Sequence, residues 1–374
     1  MSLYNHAAIW DESMMTRSYF CNGWMIINGE KMSKSTGNFL TLRDCVDKFG
    51  VDATRITLAD AGDGLDDANF ETDVANASIL KLFTLEKWIQ ENIKLAIPDG
   101  QIDFAPHKTG DLWDTIFENA INTAIDKATA SYDGMKFKDV MKYGFYELQS
   151  IKEDYLIAKG KKANPYTLMR FIVAQLTMLN PIIPHFAQYM WDHIVYPVLS
   201  KSQNFDSIHE NLTKQVWPTR SAPHDSVAAD RLAYLKDAKG AIREGLAKAQ
   251  TGGKKKPKKG AEAEPPKVIE NCTIFLAKEY PEFQKQCLTI LQGFEFNEEN
   301  VIQGEYIKAI GAAFDKKQAG IAMKFVSFQL AIAKTAGKEA ALRLEASFDE
   351  QECIEGNKAF LFENMPAIKN VTVL

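Results

Sequence analysis

Apolar residues recur along this chain with two periods, and the period changes mark its elements. Gly23-Trp24-Met25-Ile26-Ile27 is a short apolar run closed by Asn28-Gly29, a strong turn pair, and predicts a strand. From Thr41 to Phe49, Leu42, Cys45, Val46 and Phe49 fall at spacings of three and four, which predicts a helix stopped at Gly50. Asp52 then starts a second helix through Leu58, with Ile56 inward and Arg55 available. Residues 75–220 read as an antiparallel bundle. Leu112, Ile116, Ala120, Ala124 and Ala128 form one stripe, and Phe137, Met141, Phe145, Leu148, Ile151 and Tyr155 another. Asn164-Pro165 is a cap with proline at the first helical position, ahead of Leu168, Ile172, Leu176 and Leu179. Asn180 through His185 breaks that helix, Phe186, Ala187, Met190, Trp191 and Ile194 line the next, and Trp217-Pro218 closes the set.

Residues 225–249 predict one more helix, with Leu232, Leu235, Ile242, Leu246 and Ala249 on one side and Arg231, Lys236, Lys239, Arg243 and Lys248 on the rest. Beyond it, Cys272–Leu276 is strand-like, Tyr280-Pro281 opens a helix, and Leu342–Ala346 alternates at period two as a half-buried strand would. A helical stretch over 354–362 precedes Val371–Leu374, a final strand. Tyr4–Trp10 predicts the middle or end of a buried element. The abrupt ends predict a chain cut at both termini.

Composition adds bounds. A length of 374 residues suggests two or three domains. The divisions are 1–74, 75–222, 223–266 and 267–374, the clearest boundary being the basic linker Thr251–Gly260. That linker is either a solubilising tether or a contact to RNA backbone. The net charge of −5 gives no global basic field, so nucleic-acid contact must come from local patches. Five scattered cysteines without C-x-x-C argue against a zinc site or a disulfide framework, and for a reducing compartment. No apolar run reaches the ~18 residues of a membrane span, and no basic-then-apolar signal opens the chain. The Gly62–Asp67 loop is acidic but lacks the terminal glutamate of a calcium loop.

The candidate chemistry lies in Lys31-Met32-Ser33-Lys34-Ser35-Thr36-Gly37-Asn38. Each lysine offers donors and no acceptor, which suits polyphosphate oxygens, and Ser33, Ser35 and Thr36 add neutral hydrogen bonds. Gly37 lets the backbone turn, and Asn38 can start the next helix. These residues predict a cationic loop that closes over a triphosphate as charge develops on pyrophosphate. A P-loop NTPase is disfavoured because no G-x-x-x-x-G-K-[ST] occurs.

The whole string Lys31–Ser35 resembles the second ATP-binding motif of class I aminoacyl-tRNA synthetases. With Asn22–Leu42 around it, the stretch resembles leucyl-tRNA synthetase of the eukaryotic-cytosolic and archaeal branch. Asp52–Ile56, Leu58–Gly62 and Asp67–Phe70 are similar to the segment that joins its catalytic domain to the bundle. Asn180–His185 with Trp191 is similar to the bundle's N-P-x-x-P-H…W motif, and Cys272–Pro281 to the start of the C-terminal domain. The resemblance implies a mostly α multidomain fold. It comprises the end of a Rossmann-like catalytic domain, an anticodon-binding-type helix bundle and a small C-terminal α/β domain. It implies ATP-dependent activation of leucine and transfer to tRNA(Leu), with ATP as substrate, Mg²⁺ as cofactor and cytoplasmic location. No membrane partner is implied; other synthetases in a multi-enzyme complex are among the partners it suggests. Lys31 and Lys34 would be catalytic, Lys34 foremost, with Met32, Ser33 and Ser35 completing the ATP contact. The bundle would hold the tRNA body.

Departures narrow this. No H-x-G-H is present: His6, His107, His185, His193, His209 and His224 stand in other settings. No amino-acid pocket or editing domain is identifiable, so the chain is expected to be catalytically inert alone. His185 reads as a packing or capping histidine. The alternatives are an isoleucine, valine or methionine enzyme, and a non-catalytic tRNA-binding protein derived from a synthetase.

Overall fold

Asn28 and Gly29 take φ of 51° and 80°, the left-handed pair that a two-residue hairpin needs. They join β1 (Met25–Ile27) to β2 (Glu30–Lys31), antiparallel with Ile26 opposite Lys31. The structure is a computed structural model and describes residues 2–95, 111–201, 208–251, 268–277, 279–297, 300–345 and 347–374. It divides into two units, Met1–His224 and Asp225–Leu374.

In the first unit, α1 (Ser2–Ile9) is a helix with Tyr4 and Ile9 at 82% and 71% exposure, not the buried element that Tyr4–Trp10 predicts. A short apolar window reads alike whether or not a neighbour covers it. After the hairpin come α2 (Leu42–Phe49) and α3 (Val51–Ala61). Thr41 and Asp44 form a reciprocal capping box at the start of α2, and Gly50, at φ 80°, turns directly from α2 into α3. β3 (Ala68–Phe70) then adds to β1 in parallel, Met25 opposite Ala68, giving the order β2-β1-β3. Gly23 leads into this sheet because nothing larger fits: a Cβ there would stand 2.7 Å from the Asp66 carbonyl. Cys45, Phe49, Phe70 and Ala75 form the local core.

The bundle follows as α4 (Thr72–Leu95), α5 (Leu112–Asp133), α6 (Phe137–Met141), α7 (Leu148–Lys159), α8 (Pro165–Leu179), α9 (Pro184–Met190) and α10 (Tyr196–Leu199). Lys142–Glu147 and Trp191–Val195 are π-helical turns inside otherwise continuous helices. The extra residue frees a carbonyl, and Gln175 Nε2 donates to Gly144 O at 3.1 Å. The predicted stripes face the core: Met141, Phe145, Leu148, Ile151 and Tyr155 are buried, though Phe137 is 39% exposed. Phe117 stacks on Tyr155 with ring centroids 4.6 Å apart. The Tyr155 hydroxyl donates to Asp114 Oδ1 at 2.6 Å and accepts from Asn164 N at 2.7 Å. Burial and the Asp114 hydrogen bond push that phenol's pKa up.

The Asn180–His185 break is held from α3. Arg55 is not free: Nε donates to Ile182 O at 2.6 Å and Nη2 to Pro181 O at 2.7 Å. Asp52 Oδ2 accepts from Phe186 N at 2.6 Å. α9 has no side-chain cap of its own, so an aspartate over 130 positions upstream supplies one. His185 corrects its prediction: its side chain is 72% exposed and lies 3.4 Å from Asp52, so it neither packs nor caps.

The second unit begins with α11 (Ser226–Thr251). Lys239, placed by the sequence among the basic residues off the apolar side, is 7% exposed, with Nζ 4.0 Å from the Phe360 ring and 2.8 Å from Glu363. A paired ammonium on an aromatic face can be buried, which periodicity alone does not reveal. β4 (Asn271–Ile274) pairs in parallel with β5 (Asn370–Val373). Between them run α12 (Glu282–Gln292), α13 (Tyr306–Ala313), α14 (Lys316–Ala336), α15 (Lys338–Ala341), α16 (Glu350–Gly356) and α17 (Lys358–Leu361). Cys287, Leu288, Leu291, Ile310, Ala322, Val326 and Leu342 make the core of the α12–α14 layer. The predicted strand at Leu342–Ala346 is irregular in its described part. Leu342 is buried, its carbonyl accepts from Gln292 Nε2 at 2.8 Å, and Arg343 pairs with Asp230. The lysines of the predicted linker and His107 lie outside the described residues. Among the described residues no helix is long and apolar enough to cross a membrane.

Candidate functional site

Lys31 ends β2, and the chain then makes a small closed loop. Ser33 and Asn38 pair across its base, Ser33 N donating to Asn38 O at 2.9 Å. Gly37, at φ 77°, makes the reversal. Asn38 does not start α2, as predicted; Thr41 does. The Asn38 amide instead points back into the hairpin, Nδ2 lying 3.4, 3.3 and 3.3 Å from the carbonyls of Ile27, Glu30 and Lys31. This ties the loop to the strand that precedes it.

Within the loop, Lys31, Lys34, Ser35 and Thr36 are exposed, and Met32 and Ser33 are half-buried. Ser33 Oγ and Ser35 Oγ are 2.8 Å apart, and Thr36 Oγ1 donates to Ser33 O at 3.2 Å. The lysine Nζ atoms stand over aromatic rings, Lys31 5.3 Å from the Trp24 centroid and Lys34 5.4 Å from that of Phe39. None of the ion pairs among the described residues involves either lysine. All five residues predicted for ATP contact thus lie on one six-residue segment, residues 31–36, together with Thr36, which the prediction used only as a hydroxyl donor. Trp24 and Phe39 were not singled out as site residues; the signal for them is a large aromatic at the mouth of a lysine loop.

Two ammonium groups and three hydroxyls fit phosphate oxygens. The ammonium groups do not fit a magnesium ion, which takes oxygen ligands and repels cations. Among the described residues no group of three His, Cys, Asp or Glu could hold a metal.

Residues 3–66 match the family model for the tRNA synthetases class I (C) catalytic domain, and residues 114–263 that for the anticodon-binding domain of tRNA ligase. The chain belongs to the class I tRNA synthetases. Within them this synthetase segment is homologous to cytoplasmic leucine–tRNA ligases. It is 34% identical to the putative enzyme of Schizosaccharomyces pombe over 97% of this chain and 31% of the relative. It is 32% identical to that of Saccharomyces cerevisiae over 94% and 30%, and 32% identical to that of Pongo abelii over 98% and 29%. The synthetase segment therefore spans about a third of the length of the curated relatives it matches. The mostly helical fold, with small sheets, the end of a class I catalytic domain and a tRNA-ligase bundle, agrees with that membership.

Proposed function

We propose that this chain is the portion of a leucine–tRNA ligase that supplies the lysine loop for ATP and the helix bundle for tRNA(Leu). The observation that carries the reading is a pair of exposed ammonium groups, free of carboxylates, on a loop held at the edge of the catalytic-domain sheet. Lys31 and Lys34 hold the triphosphate oxygens and neutralise charge as the leucine carboxylate attacks the α-phosphate of ATP and pyrophosphate departs, leaving leucyl-adenylate; Lys34 carries most of this. Met32, Ser33 and Ser35 shape and supplement the contact. The bundle takes the body of the tRNA. A bound Mg²⁺ would neutralise phosphate charge alongside the lysines. Leucine specificity, cytoplasmic location and partnership with other synthetases rest on the relatives' names and on the resemblance.

The test is leucine-dependent ATP–pyrophosphate exchange by the full-length ligase carrying this segment. Lys34→Ala is expected to lower kcat by about 10²–10³, as loss of one transition-state donor does, with KM for ATP nearly unchanged. Equal loss in kcat and in ATP affinity would refute a contact that strengthens only as charge develops. Exchange driven by isoleucine, valine or methionine in place of leucine would move the reading to those enzymes.

A further inference from the structure

We propose that the loop rests in a self-satisfied form, in which each phosphate-binding group is engaged by an internal partner. Trp24 and Phe39 are positioning residues whose rings hold Lys31 and Lys34 until a polyphosphate takes them. This rests on the phosphate-binding role proposed above. The two serine hydroxyls face one another, and Thr36 is turned onto the Ser33 carbonyl. The ammonium groups, lacking carboxylates, stand over the two rings. The two serine hydroxyls share one hydrogen bond, Thr36 has its carbonyl, and each ammonium has its ring, so every side chain the loop would offer a phosphate already has a neighbour.

Strand pairing explains why these two rings receive these two lysines. Ile26 lies opposite Lys31, so the same register carried outward sets Trp24 opposite Ser33. Lys31 is then the diagonal neighbour of Trp24. The Ser33–Asn38 bridge carried outward sets Phe39 opposite Met32, which makes Lys34 the diagonal neighbour of Phe39. Diagonal neighbours on an antiparallel pair are within reach of aromatic and long side chains. Both aromatics are fixed at the backbone: Asp67 accepts from Trp24 N at 2.7 Å, and Phe39 N donates to Gly37 O at 2.9 Å. Both are nonetheless exposed, Trp24 to 73% and Phe39 to 43%, so core packing does not account for them. A lysine over an exposed ring is held weakly enough to leave. The rings therefore hold each ammonium group without the desolvated grip of a carboxylate, which a phosphate would have to break.

The experiment is NMR of the 374-residue chain with selectively ¹³C-labelled lysine, titrated with tripolyphosphate. Lys31→Arg and Lys34→Arg assign the two signals. In the free chain both ε-methylenes should lie upfield through ring currents and return toward exposed-lysine positions as tripolyphosphate binds. Trp24→Leu should abolish the Lys31 shift alone, and Phe39→Leu the Lys34 shift alone. Each should tighten tripolyphosphate about two- to five-fold, the strength of one exposed cation–ring contact. Trp24→Phe and Phe39→Tyr should restore the shifts. Tripolyphosphate binding with unshifted methylenes in the free chain would overturn the resting form while leaving the phosphate reading intact. Shifted methylenes with no response to tripolyphosphate would overturn the phosphate reading, and the release step with it. Unchanged or weakened affinity in both leucine variants would also overturn the proposal.

Discussion

Arg55→Met is the substitution that tests most directly how the catalytic-domain segment holds the bundle. Methionine keeps the aliphatic stem and removes the guanidinium fork. The fork makes two bonds, 2.6 Å to Ile182 O and 2.7 Å to Pro181 O. The first is partly buried, and a hydrogen bond from a charged donor to such a carbonyl stabilises by about 1.5–3 kcal/mol. The second faces solvent and adds little. The expected loss is about 2–3 kcal/mol, localised to the α8–α9 turn. Because the chain has two units, a single unfolding midpoint would blur this. Native-state hydrogen exchange read over residues 184–190 resolves it, with acceleration of about 30- to 150-fold expected. Asp52→Ala removes the cap on Phe186 N and should cost about 1–2 kcal/mol in the same segment. Both side chains grip one turn, so the double variant should lose less than the sum of the singles. Unaltered exchange in α9 for Arg55→Met, with the rest of the protein native, would refute the reasoning.

Three further outcomes are expected. Tyr155→Phe leaves Asn164 N–H and Asp114 Oδ1 without their buried partner and should lower stability by about 1–3 kcal/mol in urea unfolding; a neutral result would contradict the buried network. Gly23→Ala places a methyl 2.7 Å from the Asp66 backbone and should destabilise by about 1–3 kcal/mol, so an unshifted thermal midpoint would show that the β1–β3 approach is looser than described. Burial pushes the Cys353 thiol from its ordinary 9.0 up to about 11. The native state then holds a proton that the unfolded chain releases, so this stabilisation is complete below about 9.0 and is lost as pH rises toward about 11. The gap in urea midpoint between the wild type and Cys353→Ala should narrow as pH rises from about 9 toward about 11; a constant gap would exclude the contribution.

Much of the first unit was legible because its signals are local. The Asn28-Gly29 turn, the Gly50 stop and the Asn164-Pro165 start each act within a few residues, and the apolar stripes of α5 to α8 need only the helical period. What escaped was set by distant partners. Asn38 reads as a helix cap by residue type, yet three carbonyls of the hairpin claim its amide. Arg55 reads as available, yet its acceptors lie over 120 positions away. The alternation at Leu342–Ala346 fits a strand, but no described strand lies beside it to pair with, and Arg343 turns to Asp230 instead. The lysine loop itself was visible as chemistry; the rings that carry its two cations depend on strand register, which the one-dimensional pattern leaves open.

The cap that Asp52 places on α9 bears on how such proteins can be taken apart. A bundle excised at the start of α4 would leave behind α3, the donor of that carboxylate and of the Arg55 fork. The first turn of α9 would then face water with an unmet amide, and the Pro181–Ile182 carbonyls would lose their lock. A swap of bundles between related enzymes should move residues 50–61 along with the helices they serve, because the natural seam runs upstream of α3.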